Sequence, residues 1–510
     1  MTSVERQEGN AYGSKNETEP DYSILTYTWG RWPAPGGPHI QVSGTTWTIP
    51  AVDESKFTVA SFHEVINKMG EVHDFAWIDV VCIDQENYEV KMDEIGKQVG
   101  IFANASRVYV WLWTLPITRL QAAYDEITRC SASLQDNEDV WGKLRQPPGD
   151  VLPSLEASIK TILGDWWFSS LWTLQEGLLR QDAILLSQDA GYVKHLTKSD
   201  ENPMAAIRYL AKSFSNLRAV LESEDTRFTN APYCAVGSSI IQYIHRSGYP
   251  TALRTSNPNI QWAAARFRTT TFQQDRIYGI MALYNIQVGD AVPNASIRKD
   301  RSFSELELEF ATALNTKSPL LGQMFVHAAP PHAKTWQISH DIIVPPEYSS
   351  YDKEQSSTCS IMGNPTGFAQ VEGRVCCLKD LARLWKEYSR QPWWSSHFNA
   401  VLDEYIIKSH PAIYNVPTYL SGLSSIHTKP NSILLVDSIL KEFGEDTVSV
   451  LELGAETRRG RSYYLYGLLL LHAPQDRSRS KRIGLCKWPA ESLAQALKPA
   501  EWVRHHGILE

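Results

Sequence analysis

The sequence predicts an α/β fold with a parallel sheet in its N-terminal part, followed by a helical middle region and a mixed α+β C-terminal domain. Short apolar runs alternate in the N-terminal part with longer amphipathic stretches. Such apolar runs are typical of strands buried on both faces, and strands that alternate with helices form parallel sheets. The alternation stops after about residue 185, and strand-like runs such as FAQVEGRVCCL and RSYYLYGLLLLHA return near the C-terminus.

The first predicted strand is YSILTYTWG at residues 22–30, an apolar run that ends at Gly30. A Pro/Gly-rich turn region follows, and SKFTVASFHEVINKMGE then shows the periodicity of a helix. FAWIDVVCI at residues 75–83 predicts a second buried strand, and RVYVWLW at residues 107–113 predicts a third.

Two further helices bear on function. Four apolar residues recur at helical spacing between the second and third strands, namely Met92, Ile95, Val99 and Phe102. Charged residues separate them, so we expect these four side chains to be buried on one face of an amphipathic helix. LWTLQEGLL at residues 171–179 predicts another helix, on which Trp172 and Glu176 lie one turn apart and therefore share one patch.

These patterns divide the chain into four regions. Residues 1–20 are polar and predict a mobile N-terminus, and residues 21–185 form the α/β domain. Residues 186–325 are predicted to be helical, and residues 326–510 to form the mixed C-terminal domain.

Charge and cysteine patterns exclude several classes of protein. The net charge of −8 comes without a basic stripe, which disfavours nucleic acid as a partner. The longest apolar run, YYLYGLLLL, is too short to span a bilayer, and the N-terminus has no apolar core. The seven cysteines lack the paired CxxC spacing of zinc sites. We therefore expect a cytoplasmic protein, with the nucleus as the alternative, that has no membrane span and no metal.

The motifs of several common enzyme classes are absent. The sequence contains no GxxxxGK[ST], no GxGxxG after a strand, no GxSxG and no HExxH. A standard nucleotidase, dehydrogenase, serine hydrolase or zinc protease is therefore disfavoured. His505 and His506 are adjacent and cannot both face one ligand from a strand or helix, so they are interpreted as terminal surface residues.

Four ordered blocks resemble the fungal heterokaryon-incompatibility (HET) domain family. They are YSILTYTWG, WIDVVCIDQENYEVKMDEIGKQVGIFANASRVYVWL, WWFSSLWTLQE and RFRTTTFQQDRIYGIMALY. The resemblance is strongest over about residues 22 to 180. The Trp/Pro-rich stretch common in the middle of the family is reduced here to HAAPPHAKTWQISHD, which suggests a diverged role for the later half.

The resemblance implies a protein of fungal self/non-self recognition whose HET domain triggers growth arrest or cell death. The blocks are also distantly similar to Toll/interleukin-1 receptor (TIR) domains, which implies a TIR-like, flavodoxin-like parallel sheet. In TIR domains that cleave NAD, the catalytic glutamate follows a Trp by four residues and a Ser by six. Ser170, Trp172 and Glu176 match that spacing.

The resemblance makes NAD a candidate substrate and implies no bound cofactor. Cleavage of the nicotinamide–ribose bond passes through an oxocarbenium-like state that a carboxylate stabilises, and Glu176 is the candidate for that role. Trp172 offers a flat wall for a ring, and Asp79 and Asp84 are candidates for hydrogen bonds to a ribose or a neighbouring group. The residues expected to contact the nucleotide are Tyr27, Trp29, Gly30, Asp79, Ser170 and Trp172.

Each candidate also has a structural interpretation. Trp172 fits a core or pocket wall, and Glu176 fits an ion pair with Arg180 one turn later. Asp79 fits a residue satisfied by backbone amides, and Cys82 fits a small buried residue without an activated thiolate. Asp275 and Arg276 are interpreted as residues that cap or pin a helix.

The leading functional hypothesis is a HET-type effector of recognition and cell death with NAD glycohydrolase activity. Two alternatives belong to other classes: a noncatalytic module that signals by self-assembly, and a HET scaffold repurposed as an enzyme of fungal specialised metabolism. The expected partners are NAD or a related nucleotide, and a protein partner or a second copy of the chain.

Overall fold

A computed structural model describes residues 20–28, 36–136, 151–195, 204–224, 231–248, 257–293, 297–298, 300–329, 334–348, 356–388, 399–413, 432–458, 461–489 and 502–510. Residues 1–19, most of the predicted mobile N-terminus, and Trp29 and Gly30 lie outside the described residues. The chain forms two compact units. The first contains residues 1–253 and 267–300, and the second contains residues 254–266 and 301–510.

The strands of the described chain are β1 (Tyr22–Thr26), β2 (Phe75–Trp77), β3 (Arg107–Leu112), β4 (Ile184–Ser187), β5 (Val326–His327), β6 (Ile342–Ile343), β7 (Ser356–Ser357), β8 (Ser360–Gly363), β9 (Ala369–Cys377), β10 (Asn399–Leu402), β11 (Val448–Arg458), β12 (Arg461–Ala473), β13 (Asp476–Pro489) and β14 (Val503–Leu509). The helices are α1 (Val59–Gly70), α2 (Asp79–Cys82), α3 (Tyr88–Asn104), α4 (Ile117–Asp136), α5 (Val151–Leu163), α6 (Leu171–Leu179), α7 (Ile207–Glu224), α8 (Ala231–Ser247), α9 (Pro258–Ala265), α10 (Asp275–Met281), α11 (Phe303–Lys317), α12 (Pro319–Gln323), α13 (Leu378–Tyr388), α14 (Glu404–Ser409) and α15 (Ser432–Phe443).

The first unit contains a four-stranded parallel sheet in the order β2-β1-β3-β4. The two central strands carry the apolar runs: Ile24 and Leu25 of β1 are buried, as are all residues of β3 after Arg107. The predicted parallel sheet is therefore confirmed. The chain then continues through the helices α7 and α8.

The second predicted strand is shorter than the sequence suggests. Only Phe75–Trp77 pair with β1, and Asp79–Cys82 form the single helical turn α2, so the prediction of one strand over residues 75–83 is wrong. The strand lies at the edge of the sheet. A helical turn buries both Val80 and Val81, whereas a strand would direct them to opposite faces.

The helix α3 buries a different face from the one predicted. Its buried residues are Met92, Gln98, Ile101 and Phe102. Met92 and Phe102 agree with the prediction, but Ile95 and Val99 are only half-buried. Gln98 is buried because its side-chain oxygen accepts a hydrogen bond from the Gln175 amide of α6 at 3.1 Å. Apolar spacing could not indicate this polar contact between two helices.

The second unit contains a sheet in which five strands close on themselves. β11 pairs with β12, β12 with β13, β13 with β14 and β14 with β9, and β9 pairs with β11 to complete the ring. The strand-like runs of the C-terminal part are therefore confirmed as strands. A hydrophobic cluster that includes Trp385 and Trp488 packs the helices α13 and α15 against this sheet.

The two adjacent histidines of β14 differ in burial. His506 is exposed, as the sequence predicts, but His505 is half-buried, so its interpretation as a surface residue is wrong. The reason is the pairing of β14 with β9, which turns alternate side chains of β14 to opposite faces of the sheet. None of the helices in the described parts of the chain is long and apolar enough to cross a membrane.

Candidate functional site

The carboxyl ends of β1 and β2 lie at one edge of the parallel sheet. Tyr27 follows β1 directly, and Asp79 is the first residue of α2, two residues after β2 ends. The chain passes from β2 on one side of β1 to β3 on the other side, so the strand order reverses here. Open α/β sheets bind ligands beyond the carboxyl ends of their strands at such a switch point.

Three of the residues selected from the sequence meet at this edge. The Tyr27 side chain lies close enough to the Asp79 carboxyl group for each to change the pKa of the other. The Glu176 carboxylate, on α6, lies close enough to interact electrostatically with both side chains. We call these residues the Tyr27–Asp79–Glu176 cluster. Tyr27 is buried, whereas Asp79 and Glu176 are half-buried and keep contact with solvent.

Thr26 of β1 lies beside Glu176. Its hydroxyl group is close enough to the Glu176 carboxyl group to lower the pKa of that group. The same hydroxyl oxygen accepts the indole N–H of Trp167 at 2.8 Å, and Thr26 and Trp167 are both buried. Sequence reasoning missed Thr26, because a threonine inside a strand gives no indication of the helix that it will contact.

The two carboxyl groups of the cluster titrate at different pH. Burial raises the pKa of Glu176 to about 8, and the negative charge of Asp79 contributes in the same direction. Burial also raises the pKa of Asp79 to about 6, although the hydrogen bond from the Val80 N–H and the nearby Tyr27 side chain oppose the change. Near neutral pH the pair therefore holds one proton, on Glu176, and Asp79 is mostly ionised. Different pKa values in neighbouring carboxyl groups are typical of acid–base sites.

Trp172 connects α6 to a second acidic group. Its side chain lies close enough to the carboxyl group of Asp275 to lower the pKa of that group, and the Asp275 carboxylate accepts the Thr270 hydroxyl at 2.6 Å. Lys91 of α3 interacts electrostatically with both Asp79 and Asp275, and its positive charge acts to lower the pKa of each. Lys91 was not among the residues selected from the sequence, because a lysine on a charged helix does not indicate which acidic groups it will approach.

Ser170 lies at the start of α6 and apart from the cluster. Its backbone carbonyl accepts the Thr173 hydroxyl at 3.1 Å, and its side chain makes no capping bond. Six residues of helix separate Ser170 from Glu176, which corresponds to roughly 9 Å along the axis. Asp84 is also separate, because its carboxylate accepts the N–H groups of Glu86 and Asn87 in the turn before α3.

The structural interpretations of Glu176, Cys82 and Asp275 can be compared with the observed contacts. Arg180 pairs with Asp182 at 2.7 Å and donates to two backbone carbonyls, and the described chain contains no ion pair between Arg180 and Glu176. The Cys82 sulfur accepts the Ile78 N–H at 3.4 Å, and burial raises the pKa of its thiol to about 11, so it is no thiolate. Asp275 is the first residue of α10.

This geometry defines a class of protein: an open α/β domain that carries an acidic site at the switch point of its sheet. Residues 22–176 match the family model described as Heterokaryon incompatibility protein (HET), and the match ends at Glu176. The resemblance to the HET family noted in the sequence is therefore confirmed over these residues.

One relative is similar over a longer segment. The chain is 24% identical over 258 residues to "Heterokaryon incompatibility protein 6, OR allele" of Neurospora crassa. The alignment covers 45% of this chain and 36% of the relative, so the chain corresponds to little more than a third of that protein. No solved structure matches the chain significantly.

Proposed function

We propose that the chain acts in fungal heterokaryon incompatibility and that its HET domain triggers cell death by cleaving NAD. The matched family and the name of the relative support the biological role. The Tyr27–Asp79–Glu176 cluster at the carboxyl edge of the sheet is the observation that carries the chemistry. The strand order β2-β1-β3-β4 supports the proposed kinship with TIR domains, because flavodoxin-like sheets have the same order.

The proposed reaction breaks the bond between nicotinamide and ribose. The bonding electrons leave with neutral nicotinamide, and positive charge develops on the ribose ring. Ionised Glu176 stabilises this charge, and a water molecule then attacks the ribose carbon atom that was bonded to nicotinamide. Asp79 is mostly ionised at neutral pH and accepts the proton of that water. The products are ADP-ribose, nicotinamide and one proton.

Because the pKa of Glu176 is raised, a cation bound nearby can change the protonation state of this side chain. The nicotinamide ring of NAD is positively charged, and a positive charge near a carboxyl group lowers its pKa. Binding of NAD is therefore expected to release a proton from the pair, which leaves Glu176 ionised when the bond breaks. Trp172, half-buried one turn before Glu176, is the proposed wall for the ring.

The test is incubation of the purified full chain with NAD, with free nicotinamide measured by chromatography. The parent should release nicotinamide, and Glu176→Gln should reduce the rate by roughly a hundredfold or more. Glu71→Gln is the matched control, because the Glu71 side chain is 58% exposed and forms an ion pair with Lys68 of the same helix end. That variant should keep the parental rate.

A second measurement covers the case in which the isolated chain is held inactive. NAD is measured in cells whose growth stops when the chain is expressed. Growth arrest with an unchanged NAD content would contradict NAD cleavage. Oligomers detected by chromatography in that case would favour the self-assembling module, and a monomer would favour the specialised-metabolism alternative.

A further inference from the structure

The second unit contains a serine and a histidine in direct contact. Ser449 lies on β11 and His472 on the neighbouring strand β12. The Ser449 hydroxyl oxygen is 2.6 Å from Nε2 of His472, and Nδ1 of His472 is 3.0 Å from the backbone carbonyl oxygen of Arg477. A carbonyl oxygen can only accept a hydrogen bond, so the proton must be on Nδ1. Nε2 is therefore an acceptor, and the Ser449 hydroxyl donates to it.

A hydroxyl that donates to an imidazole, which itself donates to a third group, is the arrangement that activates the hydroxyl as a nucleophile. The imidazole accepts the hydroxyl proton, and a third group on its other nitrogen fixes the tautomer. A second serine–histidine contact, in the first unit, lacks this arrangement. Ser23 contacts Nδ1 of His73 at 2.9 Å, but Ser23 is fully buried, and no acceptor for the second nitrogen of His73 lies among the described residues.

A third side chain adds a polar atom beside the pair. The ring of His505 packs edge-on against the ring of His472, with the centroids 5.9 Å apart. Its Nε2 is buried and makes no hydrogen bond within the described chain. Buried polar atoms without a hydrogen-bond partner are uncommon, and this one belongs to the ring that packs against His472.

Access and charge are compatible with this role. Ser449 is 7% exposed and His472 is half-buried, so the hydroxyl is close to the surface but can be reached only by a small group. The groups around His472 are Ser449, the Arg477 backbone and side chain, and His505. Burial, His505 and the Arg477 side chain lower the pKa of His472, although the hydrogen bond to the Arg477 carbonyl acts to raise it, so its imidazole is neutral, and able to accept a proton, at neutral pH.

We propose that Ser449 is a nucleophile and His472 its general base, in a second catalytic site that takes a small acyl ester. The Ser449 oxygen attacks the ester carbon while its proton moves to Nε2 of His472. The bond to the alcohol then breaks, and Nε2 returns the proton to the departing oxygen. Water releases the acyl group from Ser449 in the same way. This site lies in the second unit and does not depend on the proposed function of the HET domain.

The experiment is covalent labelling of the full chain with methanesulfonyl fluoride, a small serine-directed reagent. The Ser449 oxygen would bond to sulfur, fluoride would leave, and peptide mass spectrometry would locate the adduct. We compare the parent with Ser449→Ala, His472→Gln and the matched control Ser23→Ala. Gln at position 472 can still accept the hydroxyl hydrogen bond at its side-chain oxygen but cannot take the proton. Thermal melts establish that each variant is folded.

We expect the parent and Ser23→Ala to carry the adduct on Ser449 and Ser449→Ala to carry none. His472→Gln should label at least tenfold more slowly and should lose the rise in labelling rate that the parent shows as the pH increases through the lowered pKa of His472. A folded parent without an adduct on Ser449 would overturn the site. Labelling of Ser449 at an equal rate in His472→Gln would overturn the assignment of His472 as the base.

Discussion

Glu176→Gln tests the environment of the candidate site without relying on activity. Glutamine keeps the size of the side chain and an oxygen that can accept the Thr26 hydroxyl, but it cannot ionise. In the parent, burial raises the pKa of Glu176 from 4.5 to about 8. The folded state therefore holds this proton at pH values at which the unfolded chain has already released it.

The sign of the effect on stability follows from linkage. Between about pH 4.5 and 8 the folded parent binds more protons than the unfolded chain, so its free energy of unfolding decreases as the pH rises. The pKa difference sets an upper limit of roughly 5 kcal/mol. Because Glu176 is half-buried and solvent reduces the penalty, we expect about 1–2 kcal/mol.

The assay is urea unfolding of the parent and of Glu176→Gln at a series of pH values from 4 to 9. Hydrogen exchange of peptides from α6 identifies the transition that belongs to the first unit. The two proteins should have similar stability at pH 4, and the variant should be the more stable one at pH 9. The exposed control Glu71→Gln should differ from the parent by less than about 0.5 kcal/mol at any pH.

Parallel curves for the parent and Glu176→Gln from pH 4.5 to 9 would refute the reasoning, because they would mean that the carboxyl group is solvated in the folded state. The same pKa values give an expectation for activity. Nicotinamide release by the parent should rise between about pH 6 and 8, as first Asp79 and then Glu176 ionise. A rate that falls over this range would exclude the carboxylate role of Glu176.

Four further substitutions test other contacts. Val99→Asp should lower the free energy of unfolding by only about 1 kcal/mol, because Val99 is half-buried, whereas Met92→Asp should cost several kcal/mol; equal losses in urea unfolding would contradict the observed face of α3. Lys91→Gln removes a charge that lowers the pKa of Asp79, so the acidic limb of the nicotinamide-release profile should move to higher pH, and an unchanged profile would mean that Lys91 does not act on Asp79. Trp172→Phe keeps a ring but removes the indole N–H beside Asp275, so calorimetry should show a melting temperature lower by a few degrees, as about 1 kcal/mol implies. An unchanged melt would mean that the indole N–H does not stabilise the Asp275 carboxylate.

Much of the N-terminal fold could be predicted from local patterns. The strands β1 and β3 and the helix α6 were recognised because an uninterrupted apolar run or a helical period lies within a few residues of chain. The spacing of Trp172 and Glu176 was also a local property, and it put both residues on one side of α6 before any neighbour was known. The order of apolar runs and helices was sufficient to predict that the strands are parallel.

The tertiary structure decided which partners these elements meet. Asp79 begins a helical turn in which Val80 and Val81 are both buried, and Gln98 is buried because α6 brings Gln175 to it. Trp167 and Thr26 are 141 residues apart in the chain, and Ser449 and His472 are 23 apart. Such contacts depend on the packing of whole elements and on the register between strands. A sequence read locally contains no measure of these distances, so only the folded chain could determine which polar groups lie together.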